Sequence, residues 1–277
     1  MSAGASRGPA RTSLDMLRAI ADGSARTSPV ATTFGQQLDG IAAGRVGAHM
    51  PPHPTCGSGL GSALVLADVA LGAAISSASP DSGVQTLRLQ ASTAGPRSVE
   101  GEMLHGECSQ RTAAPASATS AGEIRTDRGR VVATVSCRCA VRPASRGGGT
   151  GEDAAPPPAA EFVEDAWSGL GLCAAHVDHV LPALPCLGNL SGVVQGGVVA
   201  AALAHAAEAE LGLRSASASL DLDVSYLRGV AADGSRLPLV VQIVHRGRRF
   251  GVARADVLDG GGRLAATATV SVWDPDV

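Results

Sequence analysis

Three stretches recur in the same order on either side of a Gly-, Pro- and Ala-rich segment at residues 143–160. The first copy holds GSALVLADVALGAAISSA (61–78), VQTLRL (84–89) and GRVVATVS (129–136). The second holds GGVVAAALAHAAEAEL (196–211), SLDLDVSY (219–226) and GRLAATATVS (262–271). Gly197 lies 136 residues after Gly61 (197 − 61), and Gly262 lies 133 after Gly129 (262 − 129). Near-constant spacing over three elements is the mark of an internal repeat. Each copy reads as one long apolar helix followed by strands of period two. In the second copy Leu220, Leu222, Val224 and Tyr226 share a face. Further strands are expected at 239–244 and 252–257, joined through His245–Arg249, with a hairpin turn at Asp259–Gly262. An antiparallel sheet buries one face, and a long apolar helix is its natural cover. The expected fold is α+β. It has a tail with a short helix at 1–30, one helix-and-sheet unit at 31–142, a linker at 143–160 and a second unit at 161–277.

Composition narrows the function. Hydrophobic residues make up 45% and charged residues 17%, which excludes wholesale disorder, and aromatics at 2% leave a core of Ala, Val and Leu. A net charge of −3 argues against nucleic acid as partner. All 22 basic residues are Arg, which with the Ala and Gly bias reads as GC-rich coding. No apolar run is read as approaching the roughly 18–20 residues of a membrane span, and no apolar stretch follows the Ser/Gly/Ala-rich Met1–Thr12, so the expected location is cytoplasmic. Cys56, Cys108, Cys137, Cys139, Cys173 and Cys186 have no zinc-ligand spacing and are expected to be small buried thiols in a reducing compartment, with no metal site.

The second copy opens with Asn189-Leu190-Ser191-Gly192-Val193-Val194-Gln195-Gly196-Gly197 and later carries Tyr226-Leu227-Arg228. The first copy carries Leu66-Ala67-Asp68, seven residues after Gly61. This resembles the hot-dog-fold acyl-CoA thioesterases of the PaaI-like group, whose pattern is N-x-x-G-x-x-H-G-G, then a helix bearing a carboxylate in an L-A-D context and a Y-L-R-P turn. The resemblance covers about Trp167–Trp273 and, more weakly, Phe34–Val141, and so implies two hot-dog units in tandem. The departures are divided between the copies. Gln195 stands in place of the His, and Ala204, followed by His205, stands in place of the acid. The first copy has Cys56–Gly61 without Asn or His-Gly-Gly, but keeps the acid. The family's site is composite, so the resemblance implies one intact site from Asp68, Asn189, Gln195 and Gly196, and a vestigial mirror site from Gly59–Gly61 and His205.

In that site Asp68 serves as general base on water or as a nucleophile. The Gly196 N–H, at a helix N-terminus, is the candidate oxyanion donor, and Gly197 lets the thioester approach the backbone. Asn189 holds the water or fixes its loop. Gln195 donates as His would but cannot take a proton. Gln85 and Thr86 lie where a hydroxyl near the acid is expected. Arg228, Arg246, Arg248 and Arg249 are candidates for the phosphates of coenzyme A, although a solvated hairpin turn is the better account of the last three. His205 and Tyr226 are read as core. The implied function is acyl-CoA thioesterase activity without metal or cofactor, coenzyme A being part of the substrate, in a homo-oligomer of double hot dogs. The alternative is a non-catalytic acyl-CoA-binding or regulatory protein. An enoyl-CoA hydratase is disfavoured because neither loop carries a local Asp–His pair.

Overall fold

The computed structural model describes residues 12–54, 60–80, 82–93, 101–143, 160–173, 178–212 and 218–274. Residues 1–11 of the expected tail and 144–159, nearly all of the expected linker, lie outside them. The first half contains α1 (Ser13–Ala21), α2 (Pro29–Phe34), β1 (Gln37–Ala42), β2 (Arg45–Met50), α3 (Leu60–Ser77), β3 (Ser82–Thr93), β4 (Leu104–Ala114), β5 (Ser117–Thr126) and β6 (Val131–Pro143). The second contains α4 (Ala166–Gly169), β7 (Val180–Pro182), α5 (Gly196–Leu211), β8 (Ser219–Tyr226), β9 (Arg236–Arg246), β10 (Phe250–Leu258) and β11 (Leu264–Trp273).

All the strands join one sheet of order β1-β2-β4-β5-β6-β3-β8-β11-β10-β9-β7. Leaving out β1, the halves are mirror orders about the β3–β8 seam. In each half the strand after the long helix lies at the seam and the strand before it lies on the outside. This is the hot-dog arrangement, present twice. The seam is antiparallel, from Arg88↔Ser225 to Thr93↔Leu220. On its outer face Arg88 Nε donates to Asp223 Oδ1 at 2.7 Å.

The long helices lie side by side under the sheet, and both are apolar all round, as buried helices are. Leu60–Ser77 is in fact 18 residues long and apolar enough, by length and composition alone, to cross a membrane. The expectation of no such run is therefore corrected. The helix is the core: Leu64, Val65, Leu66, Ala67 and Leu71 have no exposed surface. α5 ends at Gly212 in the left-handed region (φ 69°). A Cβ on Gly197 would lie 2.4 Å from the Leu64 carbonyl oxygen and 2.7 Å from Val65 Cα, so only glycine lets the two helices approach here.

α1 opens with a capping box, the Thr12 side chain on the Asp15 N–H and the Asp15 side chain on the Thr12 N–H. The thiol expectation is also corrected in part. Cys108, Cys137, Cys139 and Cys186 are free, but Cys173 is disulfide-bonded.

Candidate functional site

Asp68 lies on the stripe of α3 that faces the N-terminus of α5. Two α5 amides, of Gly197 and Gly196, are directed at its carboxylate, and Thr86 Oγ1 donates to Oδ1 at 3.1 Å. Thr86 reaches it through an irregularity of β3. Between Thr86↔Cys139 and Arg88↔Arg138 the register slips by one, leaving Leu87 as an extra residue. Beyond this bulge Leu89, Ala91 and Thr93 face the core. Before it the parity is reversed, so Val84 and Thr86 turn inward and Gln85 outward. Behind Thr86 lies Cys139 (Sγ to Oγ1 4.0 Å), itself 3.5 Å from the Cys137 sulfur.

Burial pushes the Asp68 carboxyl above its ordinary value, against the opposing pull of the Gly197 amide, the Thr86 hydroxyl and the Gly196 amide. Tyr226, at the end of β8, donates its hydroxyl to the Gly196 carbonyl at 2.7 Å. Burial and the Asp68 charge hold its phenol well above 10, so it remains a donor.

Gln195 is the residue before the first turn of α5. Its Nε2 donates to the Val65 carbonyl at 3.1 Å, and Gln36, at the α2–β1 corner, donates to the same oxygen at 3.0 Å. Both amides are buried, and both Oε1 atoms are without a hydrogen-bond partner. The sequence reading missed Gln36. Its place depends on the left-handed Gly35 that ends α2, and no local pattern marks it. Asn189 Oδ1 accepts from the Ser191 and Val193 amides at 2.9 and 3.2 Å, so this oxygen fixes the loop.

Asp68, Thr86, Gln85, Asn189, Gln195, Gly196 and Arg228 line one cavity of about 850 Å³. Among the described residues Arg228 is the one basic residue on its wall, and its Nη1 donates to the Leu264 carbonyl at 2.5 Å. Gly197 is committed to helix packing. Arg246, Arg248 and Arg249, the other candidates for coenzyme A phosphates, are not among the residues lining the cavity. They belong to the β9–β10 hairpin, and Arg246 donates to the Glu210 carbonyl at the end of α5, where a cation suits the helix dipole. A second cavity of about 990 Å³ lies over β2–β6 and contains none of the site residues.

The mirror position is filled. A Cβ on Gly61 would lie 2.7 Å from Trp167 Cζ2 and 3.1 Å from His205 Cε1. Trp167 stacks edge-on against His205 with centroids 5.4 Å apart, and its indole N–H donates to Ser62 Oγ at 2.9 Å. Cys56–Gly59 of that loop lie outside the described residues. Among the described residues no group of three or more His, Cys, Asp or Glu is placed to hold a metal.

Residues 187–273 match the family profile described as the acyl-CoA thioesterase N-terminal domain. A comparison with curated proteins gave no match. Among solved structures, a putative thioesterase from Novosphingobium aromaticivorans superposes over 86% of this chain and 98% of its own, with TM-score 0.51 and 14% identity. An acyl-ACP thioesterase from Bacteroides thetaiotaomicron covers 82% of this chain and 97% of its own (TM-score 0.47, 11% identity). The PaaI protein of Escherichia coli covers 45% and 92% (TM-score 0.40, 16% identity).

Proposed function

We propose that the chain is a hot-dog thioesterase, a reading supported by its fold and by the match of its second half, and that it hydrolyses acyl-CoA thioesters at one site between its two halves, with Asp68 as general base. The observation that carries this is a carboxylate from the first half, held by Thr86 and by the N-terminus of the second half's long helix, on the wall of a cavity. A carboxylate offers about four lone-pair directions. Thr86 and the two α5 amides need not use all of them, and a water takes a remaining one. The water attacks the thioester carbonyl, its proton passes to Asp68, the carbon–sulfur bond breaks, and the proton passes on to the coenzyme A thiolate. Acid and thiol leave.

The Gly196 amide is directed at Asp68, so the helix N-terminus supports the base. The free N–H of the Gln195 amide then serves the thioester oxygen. Gln195 and Gln36 together hold that carbonyl's side of the site through Val65. Arg228, the one cation on the wall among the described residues, takes a coenzyme A phosphate.

Coenzyme A release tests the reading. Asp68→Asn should lower kcat/KM by about 10²–10⁴, the usual range for a general base. Acyl-CoA binding without release by the unaltered protein would replace catalysis with a binding role.

A further inference from the structure

The cavity has an arm that the chemistry at Asp68 does not use. From Asp68 it follows one stripe of α3 through Val69, Gly72, Ala73 and Ser76. On the far side it is covered by Leu17 and Ile20 of α1, three residues apart on one helical face. Ser13 Oγ donates to the Ser79 carbonyl at 3.3 Å, tying α1 across the end of this arm. Among the described residues Asp68 and Arg228 are the only charged ones on the cavity wall. This arm is therefore built for an apolar chain.

Gly72 is the informative residue. Glycine is costly inside a helix relative to alanine. Its usual justifications, a left-handed backbone or a close neighbour, are both absent. Gly72 is not among the positive-φ residues, and a Cβ placed on it would meet nothing within 4 Å. What the missing side chain leaves is open space in the arm.

Resting on the thioesterase reading, we infer that this arm is an acyl ruler for straight medium-length chains and that Gly72 keeps it open. From Asp68 to Ser76 is eight residues, about 12 Å at 1.5 Å each. An extended alkyl chain advances about 1.3 Å per carbon when its bonds are about 1.5 Å long, so the arm takes about eight to ten carbons. Gly72 lies one turn from the acid, about 6 Å along the arm, so a large side chain there leaves room for a butanoyl group. Leucine is a better helix former than glycine, so Gly72→Leu should fold.

The test measures coenzyme A release and, separately, the thermal shift on binding, for straight-chain acyl-CoAs from acetyl to hexadecanoyl. For the unaltered protein both should peak at octanoyl- and decanoyl-CoA. In Gly72→Leu the ratio of decanoyl to butanoyl turnover should fall by about tenfold or more, as for other pocket-size discriminations, and Gly72→Ala should move it less. If nothing is hydrolysed but the thermal shift peaks at the same lengths and Gly72→Leu moves the peak, the ruler stands and the hydrolase reading falls. A flat chain-length series, or equal loss on butanoyl and decanoyl substrates in Gly72→Leu, overturns the ruler.

Discussion

At the scale of single residues, the site turns on how one carboxylate is kept usable. Burial drives Asp68 towards its neutral form, and two amides and a hydroxyl pull it back. Removing the hydroxyl should therefore show directly in the pH profile. In Thr86→Val the acid limb of kcat/KM should move to higher pH. A hydrogen bond to a charged group is worth about 1.5–3 kcal/mol, so the shift should be about one to two pH units. An unmoved limb would detach Thr86 from the titrating group. The same balance has a consequence for stability. A carboxyl whose folded pKa is raised favours the folded state most when protonated, at pH below the ordinary 3.8, and loses that contribution as pH rises through the folded value. The unaltered protein should thus lose stability relative to Asp68→Asn as pH rises from below 3.8 towards neutrality. Denaturation midpoints of both proteins across that range check the sign.

At the scale of elements, much of the fold was legible and the site only in part. Period-two patterns marked β8, β10 and β11, and the apolar runs marked α3 and α5, because a sheet with one buried face and helices buried all round impose those patterns on any sequence. The division of parts between two copies pointed Asp68 at Gly196. Three features were not legible. The bulge at Leu87, which alone turns Thr86 towards the acid, leaves no signature in an otherwise alternating strand. Gln36 gains its place from a corner between elements. Trp167, read only as the start of a similar stretch, fills the mirror position through contacts with residues more than a hundred positions earlier. The two glycines of α5 also separate at this scale. Alanine at 197 would press on α3 backbone, which cannot give, so Gly197→Ala should cost about 1–3 kcal/mol by urea denaturation, the usual range for overpacking. The nearest atoms an alanine Cβ at 196 would meet are those of the Asp68 carboxylate, both oxygens at 3.1 Å and Cγ at 3.3 Å, the end of a side chain rather than backbone. Gly196→Ala should therefore keep most of its stability and lose activity. Equal effects of the two substitutions on stability would show that the helix contact is not where the geometry puts it.

At the scale of the whole molecule, two copies share one sheet and contribute different residues to the proposed site. Asp68 and Thr86 come from the first half, and Gln195, Gly196 and Tyr226 from the second, so neither half holds the proposed site alone. The reverse pairing, Gly61 of α3 with the residues of α5 opposite it, has Ala204 and His205 where an acid would be needed. Its space is taken by Trp167, which is 1% exposed. Duplication would allow two sites per chain; on the proposed reading this asymmetry leaves one. Titration calorimetry with a non-hydrolysable thioether analogue of decanoyl-CoA should accordingly give one ligand per chain whatever the oligomeric state, because both walls of the open site belong to the same polypeptide. Asp68→Ala should abolish productive turnover without creating a second binding event. Trp167→Ala, which should cost about 3–5 kcal/mol as a buried large-to-small change, should not restore hydrolysis to an Asp68 variant, since clearing the space supplies no carboxylate. Two ligands per chain in the unaltered protein would mean that the aromatic filling of the mirror position opens, and that the two halves had remained functionally alike.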